Sequence, residues 1–198
     1  MKIKLHPVRA LGNGVAHITA AVLLAMGACT AAQAQGPGEC QMTVNESSVD
    51  YGTFTRYQLQ GDNPQAATLS LGKRQLTLNV NCRMPVTMAV AFRSGANGAD
   101  YSFGNGGAVT VRMANAQVDG RPAMIGSAAG VNMLPASPAA VAQFAPGQVI
   151  VPVVDGRPAK GMSFSAQVEV DPRVPAANAK VAGRTSLETN GTFQLITQ

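Results

Sequence analysis

Cys40-Gln-Met-Thr-Val44 and Leu76-Thr-Leu-Asn-Val-Asn-Cys82 decide how this chain reads. Strand side chains repeat with period two, so Cys40, Met42 and Val44 share one face, as do Leu76, Leu78, Val80 and Cys82. Each sulfur therefore points the same way as the apolar residues of its own strand. Two cysteines on the buried faces of two strands predict an inter-strand disulfide in a β-sandwich. They lie 42 residues apart. Closing a loop of that length stabilises a fold by roughly 4 kcal/mol on the chain-entropy model.

The same period continues outward. Val86, Met88, Val90 and Phe92 alternate with smaller or polar residues after Pro85, and Val109, Val111 and Met113 do the same. Met162, Phe164, Ala166, Val168 and Val170 give the cleanest strand, which Asp171-Pro172 is expected to end. The last strand runs from Thr185 to Gln198. Leu187, Phe193 and Leu195 lie on one face, and Gly191 sits on that face where packing is tight or the strand bends. Tyr51 to Phe54 reads as a short strand or bulged edge, and Val149 to Val154, with Pro152 inside, as an edge strand or bulge. Ser94 to Gly107, with five glycines, reads as loop and turn, and Pro135 to Ala145 as room for one helical turn. No segment sustains a helical period, so the class is all-β: a sandwich of short strands with one intrachain disulfide.

One hexapeptide recurs: Val118-Asp-Gly-Arg-Pro-Ala123 and Val154-Asp-Gly-Arg-Pro-Ala159. Asp-Gly between extended segments favours a type I′ turn, because both central residues need positive φ. Two hairpins with common turn chemistry are expected; the sharper alternatives are a partial duplication, or two loops presenting Arg121 and Arg157 to a partner.

The first residues carry a different signature. Lys2, Lys4, His6 and Arg9 make a basic start, Ile18 to Ala28 are apolar and small, and Ala32-Gln-Ala34 is an A-x-A cleavage site before polar Gln35. The pattern predicts a secretory signal peptide over residues 1–34, outside the fold, and a single mature domain over residues 35–198. Met26-Gly-Ala-Cys29 weakly resembles a lipoprotein processing site, which makes lipidation at Cys29 the alternative to cleavage after Ala34. No other stretch is apolar enough to span a membrane. The mature chain keeps 12 Lys and Arg against 10 Asp and Glu, and no basic run that would mark a nucleic-acid or anionic-membrane partner.

Both histidines, His6 and His17, leave with the signal. Histidine is the usual acid–base group near neutral pH, so triads built on it are excluded from the mature chain. Lys73, Lys160 and Lys180 follow no S-x-x-K pattern, and Asp100, Asp119, Asp155 and Asp171 read as turn residues. No calcium loop, phosphate loop or zinc spacing occurs, so no catalytic residue, metal or cofactor is expected. Met42, Met88, Met113 and Met162 fall on apolar strand faces, which favours core filling over Cu(I) binding.

The layout Cys40…Val49-Asp-Tyr-Gly-Thr-Phe54…Arg74-Gln-Leu-Thr-Leu-Asn-Val-Asn-Cys82 resembles chaperone–usher fimbrial subunits, closest to the β-type fimbrial branch and more distantly to spore-coat-U-like pilins. The resemblance implies an immunoglobulin-like, pilin-type sandwich, exported to the periplasm and then displayed in a fimbria at the cell surface. It implies a periplasmic chaperone, an outer-membrane usher and neighbouring subunits as partners. It also implies a missing seventh strand, supplied by another chain. By position, Phe193 and Leu195 become candidates for the groove that takes the chaperone or donor strand, with plain core packing as the alternative. The sequence departs from the pattern at Thr197, where such pilins carry an aromatic, and at Gln35 to Glu39, too short and too rich in Gly and Pro to donate a strand. Either the subunit ends a fibre or stands at its tip, or the sandwich is self-complete and binds a surface glycan or protein through its loops.

Overall fold

Strand β5 (Arg74–Arg93) belongs to both sheets of the sandwich, and the other elements are placed by which half of it they meet. The computed structural model describes residues 2–8, 40–61, 63, 65–180 and 183–198. Before β5 come β1 (Lys2–Val8), β2 (Cys40–Val44), β3 (Ser48–Asp50) and β4 (Thr68–Ser70), with one helical turn, α1 (Arg56–Gln60), between the last two. After it come β6 (Ala96–Asn97), β7 (Asp100–Phe103), β8 (Gly107–Val118), β9 (Arg121–Pro122), β10 (Met124–Ala128) and β11 (Val141–Gln143). Then follow β12 (Val149–Val154), β13 (Arg157–Pro158), β14 (Lys160–Pro175), a 3-10 turn (Ala176–Ala179) and β15 (Glu188–Thr197).

One sheet runs β2–β5–β14–β8–β7–β6 through the first half of β5; the other runs β3–β1–β15–β5–β12–β10 through its second half. Where β5 changes sheet, its register against β14 slips, from Asn81 opposite Ser163 to Val86 opposite Gly161. Pro85, with no N–H to offer a ladder, falls in that slip. The expected break at Pro85 is therefore a bend within one continuous strand. The slip also turns Met162 outward, 45% exposed, while Phe164, Ala166, Val168 and Val170 stay buried as their alternation requires. Met42, Met88 and Met113 are core residues as expected.

Cys40 pairs directly with Cys82 across β2 and β5, and the disulfide joins them. Met42 opposite Val80 and Val44 opposite Leu78 continue the same apolar face. In the core, Phe92 packs edge-on to Tyr101 with ring centroids 4.8 Å apart, and Phe193 lies 4.9 Å from Phe92 and 5.8 Å from Phe144. Gly191 has no side chain because the Phe92 ring occupies the space where a Cβ would stand.

Several expectations fail, most of them where a distant segment supplies the partner. Ser94–Gly107 is not all loop: β6 and β7 form there, because Tyr101 and Phe103 alternate into the core and glycines at positive φ, Gly98, Gly104 and Gly106, are confined to the turns. Residues 141–143 form β11 against β8 in place of a helical turn. Asp171-Pro172 does not end β14, because Asp171 is buried in the strand with its carboxylate 2.7 Å from the Arg173 guanidinium and accepting from the Ser70 hydroxyl. Asp100 likewise lies in β7, accepting from Thr110 and Gln143 side chains. Tyr51 to Phe54 is not a strand; β3 ends at Asp50, and the buried Tyr51 hydroxyl donates to the Val170 carbonyl. Val149 to Val154 is not an edge, since β12 pairs with β10, β13 and β5. Pro152 is tolerated because its carbonyl alone is used, accepting from Ala159 at the end of the hairpin ladder.

Candidate functional site

Three features could meet a partner: a strand slot, a cleft at its end, and a pair of hairpins. The slot lies between β15 and β3, and β1 fills it. β1 runs parallel to β15, from Lys2 opposite Glu188 to Val8 opposite Gln194, and antiparallel to β3, from Lys2 opposite Asp50 to Lys4 opposite Ser48. Ile3 is 1% exposed and stands opposite Val49 in the core. Residues 2–8, which fall within the stretch read as a leader, thus lie in the sheet of the uncleaved chain. The apolar leader run, His17, Cys29, the Ala34 cleavage site and Gln35 to Glu39 lie outside the described residues.

Lys2–Val8 occupies the slot because β15 and β3 each present an edge with free N–H and C=O groups, and an unpaired buried edge is costly. Alternation then puts Ile3 inward. Lys2-Ile-Lys-Leu-His-Pro7 does alternate polar with apolar residues, but its basic start reads first as part of an export leader, and that reading hides the strand. Phe193 and Leu195, the sequence-predicted groove residues, both face the core. Phe193 stands opposite Pro7 in β1 on one side and Phe92 in β5 on the other. Leu195 lies beyond the last β1 pair, so the inward residues of β15 beside the slot are Gly191 and Phe193. Val49 and Gly191 are the slot residues that the candidate pair omitted. Tyr51 and Tyr101 are buried in the core and have raised phenol pKa values. Burial is the main cause at both, outweighing a lowering by Arg74 at Tyr51, where Asp171 adds to the rise; Tyr101 reaches about 12 against Arg93.

Where β3 stops and β15 starts, the slot opens onto a cleft of about 290 Å³. Phe54, Leu59, Val174 and Leu187 give it apolar walls, and Arg56 and Arg184 line it as well. Arg56 and Leu59 are set by α1, which a capping box nucleates: the Thr55 hydroxyl accepts from the Gln58 backbone N–H at 3.2 Å, and the Gln58 side-chain Oε1 accepts from the Thr55 N–H at 2.8 Å. The T-x-x-Q spacing at Thr55 was the signal that could have found this turn.

At the opposite end of the sandwich the repeated hexapeptides form matching hairpins. Asp119 and Gly120 have φ of 49° and 75°, Asp155 and Gly156 of 50° and 73°, as type I′ turns require. Ala123 donates to Ala116 and Ala159 to Pro152 at equivalent positions. Met124 pairs with Val153, which sets the two hairpins side by side with Arg121 and Arg157 exposed. The aspartates differ in use. The Asp119 carboxylate accepts from the Met162 and Ser163 N–H groups at 3.0 and 2.8 Å and from the Ser163 hydroxyl at 3.2 Å. The Ser163 N–H, foremost, with that of Met162, the Ser163 hydroxyl and Arg121, holds its pKa below the usual value; desolvation, second in size only to the Ser163 N–H, works against them. A lowered folded-state pKa contributes stability above the unfolded value of about 4, lost as pH falls through the folded value. Asp119→Asn is therefore expected to lower the melting temperature at neutral pH, with the gap to wild type closing as pH falls below the folded-state value. A gap independent of pH would show that charge is not what Asp119 contributes.

Among the described residues, no three His, Cys, Asp or Glu side chains gather as a metal site, and no helix is long and apolar enough to cross a membrane. Compared with protein-family models, with curated proteins and with solved structures, the chain matches none.

Proposed function

We propose that this protein is a non-enzymatic, exported subunit of a fimbria-type surface fibre, whose sandwich is finished by a strand from another chain: first a periplasmic chaperone, then, at an outer-membrane usher, a neighbouring subunit. The observation that carries this reading is the seat of β1. The segment that completes the β15–β3 gap, Lys2–Val8, belongs to the stretch with leader composition. Cleavage after Ala34 would remove it, baring the Glu188–Gln194 edge and the apolar floor at Val49 and Gly191. An exposed edge over an apolar floor is a template for strand addition.

The experiment compares the full chain with residues 35–198, each alone and with a synthetic peptide of residues 2–8. The shorter chain is expected to be poorly soluble alone, and to recover solubility and a cooperative melt with the peptide but not with a scrambled one. A soluble monomer of residues 35–198, melting at the full chain's temperature and indifferent to the peptide, would overturn the proposal. That result would favour the second reading, a self-complete exported domain that binds a glycan or protein, which the end cleft supports.

A further inference from the structure

We infer that the cleft between α1, the 3-10 turn and the start of β15 binds one anionic sugar unit, a hexuronate-type carboxylate on a single pyranose ring, held by Arg56 and Arg184. The inference deepens the second reading above and does not depend on how the slot is filled in a fibre.

Charge is the first argument. The cleft lining holds two arginines and no acidic residue. Neither guanidinium has an ion-pair or hydrogen-bond partner among the described residues, whereas Arg173, Arg112 and Lys73 are all paired. Two like charges on one small concavity repel each other, and an anion between them relieves that repulsion. A guanidinium presents donors in a planar fork that matches a carboxylate.

Size and wall chemistry select the rest of the ligand. The cleft, about 290 Å³, is at the lower limit of small-molecule sites (~300 Å³), room for one ring and not for an extended chain. A bare inorganic anion would leave Phe54, Leu59, Val174 and Leu187 uncovered. The half-buried Phe54 ring offers an apolar platform for a sugar's C–H face. Thr53 and Thr185 add hydroxyls with no partner among the described residues. The Asn178 amide N–H is engaged with the Asn105 carbonyl, and the Ser186 hydroxyl with Glu188, so these two contribute less. An acidic peptide is the poorer fit: peptides bind extended along a strand edge, and the cleft walls are loops and single turns.

The test is titration of the full 198-residue chain with glucuronate, glucose, acetate, sulfate and N-acetyl-glutamate amide, followed by calorimetry or ligand-detected NMR. Glucuronate is expected to bind with a Kd on the order of 1 mM, as its few heavy atoms allow. Binding should weaken as salt is raised, and glucose should not bind. Arg56→Gln and Arg184→Gln are each expected to weaken it about tenfold or more. Both side chains are exposed, so melting temperatures should not move; Arg56→Lys should retain part of the affinity and guards against a folding artefact. No glucuronate binding, equal binding of acetate or sulfate, tighter binding of the glutamate derivative, or affinity unchanged in both glutamine variants would each overturn the assignment.

Discussion

Phe92→Ala is expected to destabilise the full chain by about 3–5 kcal/mol, the range for removing a buried aromatic ring. Phe92 is 1% exposed and touches Tyr101, Phe144 and Phe193, so its loss empties the space joining the two sheets. Those neighbours are themselves fixed. The Tyr101 hydroxyl donates to the Phe92 carbonyl at 3.1 Å, and Phe193 is held in β15 opposite Phe92. The cavity has little means of collapsing, which pushes the cost towards the upper end. Gly191→Ala supplies the matching test. In the wild type its Cβ would overlap the Phe92 ring, which the surrounding aromatics prevent from swinging aside. A cost of about 1–3 kcal/mol is expected. In the Phe92→Ala background the same methyl enters the cavity, and the cost should vanish or reverse. Urea unfolding of the four chains in the cycle measures this coupling. A loss below about 1 kcal/mol for Phe92→Ala, or a Gly191→Ala cost equal in both backgrounds, would remove this aromatic packing from the account.

Removing the Cys40–Cys82 link is the second large effect. The double Cys40→Ser, Cys82→Ser chain is expected to lose about 2–5 kcal/mol, which in a domain of this size lowers the melting temperature by roughly 2–4 °C for each kcal/mol. Changing both residues avoids leaving either member of the pair as a lone thiol. The structural reason for a cost in the upper part of that range is the position of β2. Its ladder, from Cys40 opposite Cys82 to Val44 opposite Leu78, is made with β5 alone. Without the covalent tie this short edge strand frays and uncovers Leu78 and Val80. Thermal melts with and without reductant check it: the wild type should fall to the level of the serine variant on reduction, and the variant should not respond. Coincident melts of oxidised and reduced wild type would show that the tie does not stabilise this fold.

The cysteine pairing, the all-β class and most strand faces were legible in the chain because each depends on period-two alternation or a turn requirement, both local. The Asp-Gly turns followed from positive φ alone. Errors gathered where a local rule met a nonlocal partner. Asp171 reads as a turn residue until Arg173 and Ser70 are seen to satisfy it inside β14. Met162 reads as core until the register slip beside Pro85 turns it outward. Pro152 reads as an edge until its carbonyl is found to be all that the hairpin uses.

The candidate sites divide in the same way. Residues by themselves determined that this chain builds a disulfide-tied β-sandwich, that histidine chemistry is absent from residues 35–198, and that the opening stretch has the composition of an export leader. Only the tertiary structure decided that residues 2–8 seat between β15 and β3, that Gly191 gives way to Phe92, and that Arg56 and Arg184, more than a hundred residues apart, line one cleft. The physical reason is range. Alternation and turn torsions are properties of neighbouring residues, whereas an empty strand position or a shared cleft exists only once distant segments have been brought together and their unpaired edges and charges face the same space.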